Sequence, residues 1–152
     1  MEDSPNKCVL MNNEIKREII LNHFQDPVNK EIAEGDNYKK YNSNNPNCID
    51  NIDLYVRIDN DMIKDIKFMG EACAISTAST SIMIKNLIGK SIKDAKEYIN
   101  NFLNMCNGEE YNDELLEEGI SFSEIYKQTN RRNCVLLPYK GIEKAIDEYE
   151  KR

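Results

Sequence analysis

Apolar residues recur along the chain with the two periods that distinguish helices from strands. Four of them near the beginning have helical spacing: Ile15, Ile19, Ile20 and Phe24. This spacing predicts a helix over residues 13–24, which Asn12 or Asn13 can cap and which Pro27 ends. Residues 25–50, with their prolines, glycine and clustered Asn, predict a long loop.

The next segment changes to period two. Apolar side chains alternate with polar ones at Ile52, Leu54, Val56 and Ile58. The alternation predicts a half-buried strand, and residues 59–61 (Asp-Asn-Asp) predict a tight turn. Residues 62–69 are therefore expected to return as the partner strand of a hairpin.

Two helices are predicted after the hairpin. Residues 74–87 combine small side chains with scattered apolar ones, which is typical of a buried helix, and Gly89 closes it. Ser91 followed by Asp94 resembles a capping box and begins a second helix that runs to about Met105.

The last third of the chain is less regular. Residues 107–119 are strongly acidic and predict a surface excursion, with a short helix expected over 121–128. Cys134 opens a final helical pattern, and Pro138, a good first-turn residue, is the expected start of its regular part. The order of helix, hairpin and helices predicts an α+β fold with an antiparallel sheet covered on one face.

Length indicates the number of domains, and net charge argues against some classes of binding partner. The 152 residues suffice for one domain with its own core, expected over 13–152, and residues 1–12 are expected to be a mobile lead-in. A net charge of −7, without a basic stripe or tail, argues against binding to nucleic acid or to an anionic membrane. No apolar run approaches the about 20 residues of a bilayer span, and no secretory signal is visible, so a cytoplasmic location is expected.

The cysteine content is the first chemical signal. Five cysteines, an odd number, in a chain expected in reducing cytosol favour metal binding or thiol chemistry over a disulfide framework. No pair forms a Cys-x-x-Cys motif, and His23 is the only histidine. A Ser-His-Asp triad or a multi-histidine metal site is therefore not expected, and we expect His23 to have a packing or hydrogen-bonding role.

Three of the cysteines fall at the ends of predicted elements. Cys48 precedes the hairpin, with Asp50 two residues on, Cys73 lies between the hairpin and the next helix, and Cys134 lies where a loop meets the last helix. Antiparallel pairing of the hairpin strands brings Cys48 and Cys73 to the same end of the sheet. Three thiolates and one carboxylate make a tetrahedral ligand set for Zn²⁺.

A free cysteine has an alternative interpretation as a small buried apolar side chain. We expect this of Cys106, which continues the apolar pattern at a helix end, while Cys8 lies in the predicted lead-in. Cys48 fits this alternative poorly because its surroundings, residues 45–50, form a polar loop.

Four segments resemble motifs of IscU-type iron–sulfur scaffold proteins, the NifU N-terminal-like family. Residues 22–29 (Asn-His-Phe-Gln-Asp-Pro-Val-Asn) resemble the family's Asp-His-Tyr/Phe-x-x-Pro-Arg-Asn, and residues 45–50 (Asn-Pro-Asn-Cys-Ile-Asp) resemble Asn-Pro-x-Cys-Gly-Asp. Residues 66–79 (Ile-Lys-Phe-Met-Gly-Glu-Ala-Cys-Ala-Ile-Ser-Thr-Ala-Ser) are close to Ile-x-Phe-x-Gly-x-Gly-Cys-Ala-Ile-Ser-x-Ala-Ser. Residues 131–134 (Arg-Arg-Asn-Cys) resemble the third cysteine segment, so the resemblance covers about 13–149.

Within the family, the chain is more similar to the SufU branch. IscU-type chains place a histidine directly before the third cysteine, where this chain has Asn133. SufU-type chains carry an insertion before that cysteine, which residues 107–130 resemble, and an arginine three residues ahead of it, which Arg131 matches.

The resemblance implies a fold, a ligand set and partners. The fold is a small antiparallel sheet, a hairpin plus one strand, with helices on one face. Zinc is held by Cys48, Asp50, Cys73 and Cys134, and Cys48 accepts persulfide sulfur from a SufS-like cysteine desulfurase. Arg131 is expected to stabilise negative charge on Cys48, with a solvated surface charge as the alternative. Such a protein is a sulfurtransferase-type accessory of the desulfurase rather than an independent enzyme, and it supplies other Suf components or apo iron–sulfur proteins.

Two other functions remain open from the sequence. Cys48, Cys73 and Cys134 can hold a [2Fe–2S] cluster that is assembled and passed to apo-proteins, or the ligands can form a structural zinc module for protein contacts. Two departures from the family pattern concern the site, because Ile49 and Ala72 replace glycines. Since a β-branched residue disfavours the positive φ that glycine tolerates, the first-cysteine loop is expected to differ in shape.

Overall fold

The computed structural model describes residues 12–152. In chain order its elements are α1 (Asn13–Gln25), β1 (Lys39–Asn44), β2 (Asn51–Asp59), β3 (Met62–Glu71), α2 (Ala74–Leu87), α3 (Ile92–Cys106) and α4 (Thr129–Glu150), with 3₁₀ turns at Asp113–Leu115, Glu117–Phe122 and Ile125–Lys127. Cys8 and the expected lead-in, up to residue 11, lie outside the described residues. Among residues 12–152, no helix combines the length and the apolar character that crossing a bilayer requires.

The three strands form one antiparallel sheet in the order β1-β2-β3. The predicted hairpin is confirmed, and its turn places Asn60 and Asp61 at φ 52° and 58°. The alternating residues Ile52, Leu54 and Val56 are buried on the face that the helices cover. The observed fold is therefore the predicted α+β arrangement.

The third strand, β1, lies inside the segment that was predicted to be a loop. Its sequence, Lys-Lys-Tyr-Asn-Ser-Asn, lacks apolar alternation, and Ser43 is its one buried residue. A polar strand is stable at this position because β1 pairs with β2 on one side and forms the sheet edge on the other.

Helix α1 confirms the predicted helix, and Asn12 caps it by accepting a hydrogen bond from the Ile15 backbone N–H at 2.9 Å. Its buried side chains are polar, namely Lys16 and His23. His23 has the expected hydrogen-bonding role, which joins α1 to α2 and to the 3₁₀ segment. The Ser81 hydroxyl is 2.7 Å from His23 Nδ1 and also accepts from the Val28 N–H, while His23 Nε2 is 3.2 Å from Glu118.

Helix α4 begins well before Pro138, which was its expected start, so that prediction is wrong. Pro138 lies inside the helix and cannot donate a hydrogen bond to the carbonyl of Cys134, four residues earlier. Helix α2 packs against this turn, where the Ser79 hydroxyl donates to the neighbouring Val135 carbonyl at 2.6 Å and the Ser76 hydroxyl lies 3.2 Å from the Cys134 carbonyl. Contacts from a neighbouring helix thus allow a proline that the sequence pattern alone would exclude.

The segment between α3 and α4 also differs from expectation. Residues 121–128 form 3₁₀ turns instead of a short α-helix. The acidic segment 107–119 is not wholly a surface excursion, because its apolar side chains, with those that follow, enter the core. These buried side chains are Leu116, Ile120, Phe122 and Ile125.

Candidate metal centre

The loop over residues 45–50 joins β1 to β2 and is closed by its own hydrogen bonds. The Asn45 N–H donates to the Asp50 carbonyl at 2.9 Å, and the Cys48 N–H donates to the Asn45 carbonyl at 3.0 Å. The Asn45 side chain accepts a further bond from the Asn47 N–H at 3.1 Å. This geometry leaves Cys48 exposed and turns Asp50 inward, where it is 1% exposed.

The two replaced glycines of the family pattern cause no backbone strain. Ile49 and Ala72 are not among the described non-glycine residues with positive φ. Ile49 is 66% exposed, so its side chain points away from the core beside Cys48. The glycine that this region does require is Gly70, at φ 129°, where a Cβ would lie 2.1 Å from the Asn51 carbonyl oxygen.

Cys73 begins α2 and positions the carboxylate of Asp50. Its Sγ caps the helix by accepting from the Ser76 N–H at 3.4 Å. The Cys73 N–H donates to Asp50 Oδ1 at 2.7 Å, and the Ser76 hydroxyl donates to Oδ2 at 2.6 Å. The carboxylate is therefore held at the N-terminus of α2, where the helix dipole favours negative charge.

Cys134 reaches the same place from α4. It lies in the second turn of that helix and not at a loop–helix junction, which corrects the sequence interpretation. The proximity of its carbonyl to the Ser76 hydroxyl, described above, fixes this turn of α4 against the start of α2.

The structure brings Cys48, Asp50, Cys73 and Cys134 together. One ligand atom from each residue can be chosen so that all four lie within 4.8 Å of one another. Cys73 and Cys134 are half-buried, whereas Cys48 is exposed. Three sulfur donors and one carboxylate suit Zn²⁺, and three thiolates also suit an iron–sulfur cluster, so the residues present fit either group.

The pKa values of two acidic groups in this cluster, Asp50 and Cys134, are shifted in opposite directions. Burial opposes ionisation of Asp50, but hydrogen bonds from Ser76, the Cys73 N–H and the thiols of Cys134 and Cys73 together hold the pKa of its carboxyl below the ordinary value. Burial, followed by the charge of Cys73 and the hydrogen bond to Asp50, raises the pKa of Cys134 to about 12. A cation bound here must displace the proton of that thiol.

The remaining candidate residues are placed differently. Arg131 is exposed on the turn of α4 that precedes Cys134, and it makes no hydrogen bond or ion pair with the described residues. Its expected effect on Cys48 stays a prediction. Cys106 is fully buried in the core, as expected.

Sequence reasoning missed Ser76. This residue contacts Asp50, Cys73 and Cys134, and so links the cluster's carboxylate to both helices. The signal was its spacing, because a serine three residues after a helix cap has its backbone N–H and hydroxyl directed at that cap. Because Ser76 lies within a run of small residues, the sequence alone does not distinguish it from a residue that only packs between helices.

Comparisons with known proteins give consistent results. Residues 15–152 match the model of the NifU-like N terminal domain family. The zinc-dependent sulfurtransferase SufU of Bacillus subtilis is 34% identical over 135 residues, which are 88% of this chain and 90% of the relative.

Two further relatives are described as scaffolds. The iron–sulfur cluster assembly scaffold protein IscU of Thermotoga maritima is 31% identical, over 67% of this chain and 72% of its own. A crystal structure of a candidate scaffold protein for the SUF system from Fervidobacterium islandicum superposes with a TM-score of 0.77 at 36% identity. The superposition covers 85% of this chain and 94% of that one.

Proposed function

The chain belongs to the NifU-like N-terminal domain family, and from this premise we propose that it accepts persulfide sulfur from a cysteine desulfurase at a zinc site, for iron–sulfur cluster assembly. Family membership confirms the resemblance seen in the sequence motifs. The observation that carries the proposal is the convergence of three thiols and one carboxylate, with Cys48 exposed. The relative named a zinc-dependent sulfurtransferase supports zinc over other ions.

Each ligand residue has a distinct part in this proposal. Cys73 and Cys134 are half-buried and anchored on helices, so they form the fixed side of the site. Asp50 is fixed by donors from α2, which leaves lone pairs of its carboxylate for a cation. Bound zinc keeps coordinated thiols deprotonated and protected from oxidation.

Cys48 is the group that reacts. Its thiolate attacks the terminal sulfur of the persulfide on the partner's cysteine, and a new S–S bond forms at Cys48 as the partner's S–S bond breaks. The partner's cysteine leaves as a thiolate, so Cys48 carries the persulfide and no net oxidation occurs. Exposure of Cys48 on the loop between β1 and β2 allows a protein-bound persulfide to approach in line.

The proposal also gives Arg131 a role and the reaction a cellular compartment. Arg131 is exposed three residues before Cys134 on α4, and we assign its guanidinium to stabilise the negative persulfide on Cys48. The reaction takes place in the reducing cytoplasm, which suits described cysteines that are all free thiols. The sulfur then passes to other Suf components or to apo iron–sulfur proteins.

The experiment compares two cysteine variants in a desulfurase assay. Cys48→Ala is expected to abolish sulfur acceptance and the stimulation of desulfurase turnover, because no thiolate remains to attack. Cys106→Ala removes a buried thiol outside the site and is expected to retain both. Mass spectrometry of the intact chain detects the added sulfur, and normal acceptance by Cys48→Ala would overturn the assignment.

The second candidate function is a scaffold on which a [2Fe–2S] cluster is assembled. Relatives described as scaffolds favour it, and the same three thiols would hold the cluster. Anaerobic reconstitution with iron and sulfide separates the two functions. A brown protein that transfers its cluster to an apo-acceptor supports the scaffold, whereas a colourless protein that retains one zinc per chain and raises desulfurase turnover supports the sulfur acceptor.

A further inference from the structure

A basic groove lies next to the thiol cluster, between α1, the 3₁₀ segment and the start of α4. Its volume is about 490 Å³. Four basic side chains line it: Lys16, Arg17, Lys127 and Arg131. The one carboxylate among its lining residues, Glu124, is paired with Lys127 at 2.7 Å. In a chain of net charge −7, this is a local concentration of positive charge.

The start of α4 adds to this positive charge. Helix α4 has 22 residues, and its N-cap residue, Gln128, makes no side-chain capping bond. Its first turn has no acidic residue and includes Arg131 and Arg132. Two cations at an uncapped helix N-terminus oppose the helix dipole, and an anion in the groove would relieve that repulsion.

One buried polar side chain is a second observation at this groove, separate from the helix. Ser121 lines the groove and is 7% exposed, and its hydroxyl has no hydrogen-bond partner among the described residues. A buried hydroxyl without a partner is uncommon in proteins and calls for an explanation.

The walls of the groove are apolar as well as basic. Ile20, Ile75, Phe122 and Ile125 line it together with the cations. We propose that this groove binds a small organic phosphate, with the phosphate at the basic side chains and the start of α4 and the organic part against the apolar wall. A phosphate monoester carries about two negative charges and three acceptor oxygens, which suits several cations better than a single carboxylate does.

The proposal does not rest on the sulfur-acceptor function, although Arg131 is assigned a part in both. Arg17 and Lys127 line the groove and do not belong to the Cys–Asp cluster. Arg131 and Ile75 mark where the two sites adjoin, because they lie close along the chain to Cys134 and Cys73.

The experiment uses full-length, zinc-loaded protein and three probes: phenyl phosphate, inorganic phosphate and benzoate. Titration followed by amide NMR is expected to show one site per chain for phenyl phosphate, with shifts at Ser121 and the first turn of α4. Phenyl phosphate is expected to bind about tenfold or more tightly than benzoate, because of its greater charge and additional acceptors. Inorganic phosphate is expected to bind more weakly than phenyl phosphate because it cannot use the apolar wall.

Arg17→Gln is the test variant and Lys93→Gln is its matched control, an exposed charge on α3 outside the groove. Arg17→Gln is expected to weaken phenyl phosphate binding about tenfold while Lys93→Gln leaves it within about twofold. Both exposed variants are checked for folding by circular dichroism. Equal losses in the two variants would overturn the proposal, and so would benzoate binding as tightly as phenyl phosphate, or the absence of a saturable site.

Discussion

The cysteines among residues 12–152 lie in two environments, which differ in polar neighbours and in access to solvent. Cys106 ends α3 in the core, where it is fully buried and makes no hydrogen bond with described residues. Burial raises the pKa of its thiol to about 12, against a small opposing effect of Arg132. Cys48, Cys73 and Cys134 instead converge beside the carboxylate of Asp50.

The comparison shows that position, rather than residue type, decides what a thiol does. At Cys106 the side chain fills space, and an apolar replacement of similar size would serve. At the cluster, the thiols face a carboxylate, and the exposed Cys48 is accessible to a partner. Any experiment that makes the two environments behave alike would therefore contradict the interpretation.

The largest expected difference is in alkylation rate. In chelator-treated protein at pH 8, Cys48 is expected to react with iodoacetamide at least about 1,000-fold faster than Cys106, because modification of Cys106 requires the core to open. Pulse alkylation with peptide mass spectrometry measures both rates in one sample. In denaturant the two rates should become equal, and a native-state ratio below about tenfold would contradict the comparison.

The next largest effect concerns the serine that links the cluster. Ser76→Ala removes a donor to Asp50 and is expected to lower zinc affinity about 10–100-fold, as is typical when a residue that orients a metal ligand is lost. Ser79→Ala is the matched control. The Ser79 hydroxyl also joins α2 to α4, by a hydrogen bond to the Val135 carbonyl, but it does not contact the cluster. Competition with a chromophoric chelator measures the affinity, and equal losses in both variants would show that Ser76 acts only through helix packing.

The smallest effect is at Cys106 itself. Cys106→Ser places a hydroxyl in the core without a described partner and is expected to lower the free energy of unfolding by about 1–3 kcal/mol. Zinc stoichiometry should stay at one per chain, because Cys106 is outside the cluster. Urea unfolding measures the free energy, and metal analysis measures the zinc content. Loss of zinc from folded Cys106→Ser would contradict the assignment of Cys106 to the core and not to the metal centre.

The fold could be predicted where periodicity and caps agree. Helices α1, α2 and α3 and the hairpin follow from apolar spacing, and Ser91 caps α3 through the Asp94 N–H as its sequence suggests. The resemblance implied one strand beside the hairpin, but its position at β1 could not be predicted from the apolar pattern, because an edge strand needs few apolar residues. The start of α4 was misplaced because Pro138 normally begins or interrupts a helix, and the α2 hydroxyls that contact this turn are distant in sequence.

The proximity of the four candidate ligands was partly predictable from the sequence, and the contacts that support them were not. Cys48, Cys73 and Asp50 lie near the hairpin ends, so antiparallel pairing alone suggests that they meet. The approach of Cys134 depends on how α4 packs against α2, which no local pattern encodes. The same tertiary packing gives Ser76 its role and forms the basic groove.

X-ray absorption spectroscopy of the zinc-loaded protein tests the central claim most directly, because it counts the donor atoms around the metal. Three sulfur scatterers at about 2.3 Å and one oxygen at about 2.0–2.2 Å are expected. A zinc shell without sulfur, or one that is unchanged in Cys73→Ala, would contradict the assignment of Cys48, Asp50, Cys73 and Cys134 to a single metal centre.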